Sequence, residues 1–109
     1  MSHRCKRCEP VPAEVLHAAD VLGRRWALAL LYASHEGAVR FNEFRQALGE
    51  VPPRTLAQRL ADLEDAGLLE RRIVDARPPH VEYLLTERGR RLKTVVDGLR
   101  RWPRQPAGP

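Results

Sequence analysis

The stretch 53–66 most constrains what this chain can fold into. Within it Leu56, Leu60 and Leu63 recur at four- and three-residue steps, the spacing of one face of an α-helix. Pro53 suits the first turn of such a helix, where its missing N–H is not needed, and Gly67 suits its end. Just upstream, Phe41, Phe44 and Leu48 repeat the helical period over 41–48 and stop at Gly49. Only Glu50-Val51-Pro52 separates the two runs, so the pair is expected to form a helix-turn-helix. On the later helix Arg54, Thr55, Gln58 and Asp62 project opposite the leucines, with Arg59 on the shoulder. An amphipathic helix needs some polar face for solvation alone. Arginine, threonine and glutamine near its first turn are, however, the side chains that contact phosphates and base edges, not the Glu/Lys mixture of a plainly solvated helix.

The flanking segments extend this core. Pro12 opens a predicted first helix with Leu16, Ala19 and Leu22 on one face, ended by Gly23. A second helix is predicted over 26–34, with Trp26, Leu30 and Leu31 as core and Gly37 as its stop, and 38–40 reads as a short extended stretch. Beyond Gly67, the β-prone runs 68–74 and 80–85 flank Asp75-Ala-Arg-Pro-Pro79 and predict a hairpin. A hairpin after a helix-turn-helix is a wing. Arg77 at its tip, with Arg71, Arg72 and His80 alongside, could reach a DNA backbone or minor groove, although tip arginines also serve solubility. Thr86 is placed to cap one last helix over 87–102, where Leu92, Val95 or Val96, Leu99 and Trp102 recur at helical steps. So small a domain need not cover that stripe itself: either the helix packs back on its own core or, as the terminal Trp102 favours, a second copy buries it, and Leu16, Leu92, Val96, Leu99 and Trp102 are then the expected dimer contacts.

Length and composition set the remaining limits. A chain of 109 residues with 43% apolar content builds one core, expected over 12–102, between an arm at 1–11 and a proline-rich, disordered tail at 103–109. The net charge is +5 and, apart from Lys6 and Lys93, all 19 basic residues are arginine. Arginine's planar fork fits phosphate and guanine edges, though codon bias in a GC-rich genome produces the same excess. No apolar run is long enough to cross a bilayer and no signal core follows Met1, so a cytoplasmic location without membrane partners is expected. Cys5 and Cys8, spaced Cys-Lys-Arg-Cys, offer a redox dithiol or half of a zinc site completed by a partner chain. The alternative is an arm with two reduced thiols, since no second Cys or Cys/His pair supplies further ligands and no cofactor is implied. His3, His17, His35 and His80 are scattered, and Ser2 and Ser34 lie in no nucleophile motif, so no enzyme is expected.

Five segments together resemble a known family. Val21-Leu-Gly-Arg-Arg-Trp26, Arg40-Phe-Asn-Glu-Phe44, Pro53-Arg-Thr-Leu-Ala-Gln-Arg-Leu60, Leu63-Glu-Asp-Ala-Gly-Leu68 and Val81-Glu-Tyr-Leu-Leu-Thr86 with Gly89 are similar, in order and spacing, to bacterial HxlR-type regulators. The resemblance spans roughly 12–102. It implies a mainly α winged helix-turn-helix that dimerises through its N- and C-terminal helices and lays one recognition helix per subunit in successive major grooves. On this sequence 53–66 is then the recognition helix, with Pro53, Arg54, Thr55, Gln58 and Arg59 at the DNA, and Arg77 and His80 belong to the wing. The expected function is a homodimeric, sequence-specific repressor on an inverted repeat of double-stranded DNA, open to a small-molecule or oxidant effector. A thiol-sensing regulator using Cys5 and Cys8 and a winged-helix protein-interaction module are the alternatives. Two departures stand out. Many relatives carry Ser or Thr where this chain has Pro52, which supplies neither a cap nor a hydroxyl. The sensor cysteine of several relatives falls near Val11 or Pro12, so Cys8 comes a few residues early and the role is not carried over.

Overall fold

Helix α2 (Ala27–His35) is apolar almost all round because it is packed on several sides. It touches α1 (Ala13–Leu22), α3 (Phe41–Leu48), α4 (Pro53–Asp65), α6 (Lys93–Arg101) and strand β2 (His80–Leu85). The computed structural model describes residues 8–102. Cys5 and the tail 103–109 lie outside the described residues. The remaining elements are β1 (Leu69–Val74) and the single-turn α5 (Glu87–Arg90). Leu30 and Leu31 of α2, Phe44 of α3, Leu56, Leu60 and Leu63 of α4 and Val96 of α6 form a closed core with Val51, Leu68 and Leu69. The helix-turn-helix predicted from the two apolar periods is present, and Val51 in its turn is 3% exposed, so that turn is itself a plug in the core.

The wing is an antiparallel two-stranded sheet whose register pairs Leu69 with Leu85 and Val74 with His80. A backbone hydrogen bond from Tyr83 N–H to the Val39 carbonyl, 2.7 Å, adds the 38–40 stretch to its edge. At its base Thr86 does two jobs. Its hydroxyl donates to the Gly67 carbonyl at 2.5 Å and accepts from Gly89 N–H at 3.0 Å, so one side chain caps α5 and ties it to the end of α4.

Three expectations need correction. The last helix is two, α5 and α6, joined by a turn at Arg91 and Leu92. Gly89 sits so close to the Leu68 carbonyl that it pins the first segment, while Val96 is drawn into the core from the second, and the turn satisfies both anchors. Val96, at 1% exposed, is therefore a core residue and not a dimer contact, and Leu92 is half-buried against the same core; Val95 points outward instead. Finally, Trp26 does not begin α2. It precedes the helix with φ of 78°, a left-handed backbone that costs a non-glycine residue on the order of 1–3 kcal/mol, held by packing on the core and by the Arg25 guanidinium 5.2 Å from its ring centre.

Uncovered apolar side chains remain near both ends of the described chain. Helix α1 has no buried residue, and Val11, Val15 and Leu16 are about half exposed; Val95, Leu99 and Trp102 are exposed at the other end. Among the described residues no helix is long and apolar enough to cross a membrane.

A methyl group at position 89 would run into the Leu68 carbonyl, which already accepts from Thr86 N–H. Gly89→Ala should lower stability by about 1–3 kcal/mol, read as a lower urea midpoint with an unchanged slope.

Candidate nucleic-acid interface

Helix α4 presents to solvent what its leucines do not use. Leu56, Leu60 and Leu63 are fully enclosed, which leaves Pro53, Arg54, Ala57, Gln58 and Ala61 exposed, with Glu64 and Asp65 exposed in the last turn, and Thr55, Arg59 and Asp62 half-buried on the flanks. Arg54, Gln58 and Asp62 follow one another at four-residue steps along this outer face. Ala57 and Ala61, which sequence reasoning passed over, keep the face low between them; an exposed alanine pair at i and i+4 was the available signal. As expected from Pro52, no side chain caps the N-terminus of α4.

The flank is an ion-pair cluster. The Asp62 carboxylate accepts from Arg24 at 3.0 Å and Arg59 at 3.1 Å through one oxygen, and from the Gln58 amide nitrogen at 2.9 Å through the other. Arg59 also donates from Nε to the Arg25 carbonyl at 2.9 Å. Of the five expected α4 contacts, Arg59 is thus already engaged inside the fold, with its side chain only 20% exposed; it serves as a strut between α4 and the α1–α2 turn. Burial raises the Asp62 acid, but the hydrogen bonds from Gln58 and Arg24 and the charges of Arg24 and Arg59 outweigh it and hold the carboxyl below its ordinary value. Gln58 and Arg59 stand one helical turn from Asp62, a spacing the sequence shows, but Arg24 and the Arg25 carbonyl come from more than thirty residues upstream and have no local signature.

The wing distributes its charge unevenly. Arg77 is exposed in the turn and Arg71 on β1, whereas Arg72 pairs with Glu70 at 2.9 Å. His80 is half-buried, with Nε2 3.1 Å from Glu82, so the structure ties it to the strand. A second carboxylate fixes the wing's neighbour: Glu43 accepts from the backbone N–H groups of Val39 and Arg40, both at 2.9 Å, and these bonds lower its pKa. Cys8 is exposed, five residues before α1 begins. Among the described residues no group of three or more His, Cys, Asp or Glu is placed to hold a metal.

The HxlR-like helix-turn-helix profile matches residues 21–108. The chain belongs to the HxlR-like helix-turn-helix family. The HTH-type transcriptional regulators YdeP and YybR of Bacillus subtilis are each 40% identical to it over 76% of this chain, which spans 65% and 66% of their lengths. Among solved structures, the redox regulator HypR in its reduced form is 38% identical, with a TM-score of 0.74 over 83% of this chain and 89% of that one. Reduced YodB from B. subtilis, 29% identical, gives a TM-score of 0.76 over 85% of this chain and 91% of that chain. The winged helix-turn-helix is thereby shown, and the relatives are transcriptional regulators, not enzymes.

The lowered carboxyls fix a sign for acid stability. A folded pKa below the unfolded one means stabilisation that is present above the ordinary value and lost as pH falls through the folded value. Glu43→Gln should therefore narrow the stability lost between neutral pH and pH values below the ordinary 4.5 of Glu43, measured by thermal melts at a series of pH values. An unchanged loss would remove Glu43 from the acid response.

Proposed function

We propose that the chain is a sequence-specific DNA-binding transcriptional regulator that binds an inverted repeat as a homodimer and represses where that site overlaps a promoter. The observation that carries this reading is the outer face of α4. Its leucine stripe is spent entirely on the core, and what is left outward is Arg54 and Gln58 flanking small alanines, able to enter a major groove and address base edges. Arg77 and Arg71 on the wing supply charge for the phosphate backbone, and Thr55 is the hydroxyl nearest the uncapped start of α4. The apolar side chains left uncovered at both ends, Leu16 with Val11 and Val15, and Leu99 with Val95 and Trp102, support a second copy as partner, since patches of this kind on a lone domain are interaction surfaces. A two-fold pair of recognition helices then faces half-sites about one helical turn, roughly 10 bp, apart.

A second reading, oxidant control, draws on two observations: Cys8 is exposed just before α1, and HypR is described as a redox regulator with reduced and oxidised forms. In this reading a change at Cys8 acts on the dimer through α1.

Selection from random duplex DNA at fixed, near-physiological salt, with and without reductant, tests both. An enriched inverted repeat is expected, and its loss on oxidation would establish the second reading. Arg54→Ala should weaken binding to the selected site by about 1–3 kcal/mol with the circular dichroism spectrum unchanged. A full sequence preference in that variant would sink the contact. Leu16→Asp should yield monomers in sedimentation equilibrium and lose the repeat; a stable dimer in that variant would move the interface elsewhere.

A further inference from the structure

Gln58 is the one exposed residue of α4 whose neutral side chain carries both a donor and an acceptor, and it is not left to swing freely. A lone surface glutamine flips its amide at little cost, presenting oxygen or nitrogen to whatever approaches. Here Asp62 stands one turn further along, and a carboxylate only accepts hydrogen bonds. The contact at 2.9 Å therefore admits a single flip, with Nε2 toward Asp62 and Oε1 away from it. The carboxylate is held in turn by Arg24 and Arg59 on its second oxygen, with its side chain 14% exposed, so it is a fixed acceptor and not a swinging one. The two arginines also cover its charge, which would otherwise repel a phosphate backbone near the outer face.

Building on the DNA-binding reading above, we propose that Asp62 is a positioning residue that locks the Gln58 amide in the orientation that reads adenine. With one N–H given to Asp62, Gln58 keeps Oε1 as an acceptor and its second N–H as a donor. That pair matches the N6 amino group and N7 of adenine in the major groove. Guanine offers two acceptors on the same edge and mismatches Oε1. Because the flip is decided before DNA arrives, the ordering of Gln58 is already complete in the free protein.

The test uses the full-length chain and sites selected from random duplex DNA by the wild type, Gln58→Ala, Asp62→Asn and Asp62→Glu. The wild type should enrich adenine at one half-site position, and that position alone should become unconstrained in Gln58→Ala. Asp62→Asn, whose amide donates as well as accepts, should lose the same adenine while the other positions persist. Asp62→Glu, still acceptor-only, should retain it. In direct binding, replacing that adenine with purine, which lacks the N6 amino group, should weaken the wild type about tenfold and Asp62→Asn by less than about twofold. If Asp62→Asn melts too early, the pair Arg24→Gln with Asp62→Asn, which removes charge on both sides, replaces it. A uniform loss across all positions in Asp62→Asn, or an equal purine penalty in wild type and variant, would show a structural strut only and overturn the proposal. An enriched repeat with no position that depends on Gln58 overturns it as well and leaves the regulator reading intact. Absence of any enrichment by the wild type overturns both.

Discussion

Everything at the outer face of α4 depends on the burial of Leu56, Leu60 and Leu63 against α2 and α3. Each fully buried leucine contributes about 1.5–3 kcal/mol, so the stripe as a whole outweighs any polar contact the helix makes. Turning α4 by a single residue, about 100°, would carry leucines into water and drive Gln58 or Arg59 toward the core. The orientation of Arg54 and Gln58 is thus decided by hydrophobic packing in the free protein. Partly exposed ion pairs such as Arg24–Asp62 contribute only about 0–1 kcal/mol each and cannot choose that orientation. They set the finer matter of how side chains lie once it has been chosen.

How far the sequence reveals this differs from residue to residue, for physical reasons. The leucine and phenylalanine periods identify α3 and α4 nearly to their ends, because both helices bury one face and expose the other. The C-terminal segment defeats the same approach. Val95 and Val96 sit side by side, either continues the stripe, and the choice depends on the angle at which α6 meets α2, which a turn at Arg91 and Leu92 sets. That turn follows from the close approach of Gly89 to a carbonyl twenty-one residues upstream, a contact with no local signature. Trp26 misleads in another way: its bulk marks it as core, correctly, yet the packing that secures it forces a left-handed backbone outside the helix. On the candidate site, Arg54, Gln58 and the exposed Arg77 lie as expected on the surface, but Arg59 is withdrawn by Asp62, three residues along the helix, and by the Arg25 carbonyl, thirty-four residues upstream, the second of which has no local signature.

The wing follows α4 directly and packs on it through β1, and short polar ties at the joints fix how the two meet. Thr86 closes the joint after α4 by bonding both the Gly67 carbonyl and Gly89 N–H. Glu43 closes the joint before α3, and the neighbouring Val39 carbonyl receives Tyr83 N–H from the wing. Both ties use a single side chain to satisfy backbone groups that a loop would otherwise leave to water, which is why each is expected to matter more than its exposure suggests.

Under the DNA-binding reading, affinity and discrimination fall to different residues. The exposed wing arginines, Arg71 and Arg77, answer phosphates of any sequence, and a chain of net charge +5 binds duplex DNA with a strong salt dependence whatever its bases. Sequence preference must come from groups whose hydrogen-bonding sense is fixed. An arginine has only donors and so favours guanine by default, whereas a glutamine has both senses and favours nothing until its flip is set. The Asp62 cluster supplies that missing constraint with residues from the α1–α2 turn. Part of the reading face is therefore composed by a segment that itself touches no base, and a substitution at Arg24 would alter preference without altering any residue of α4.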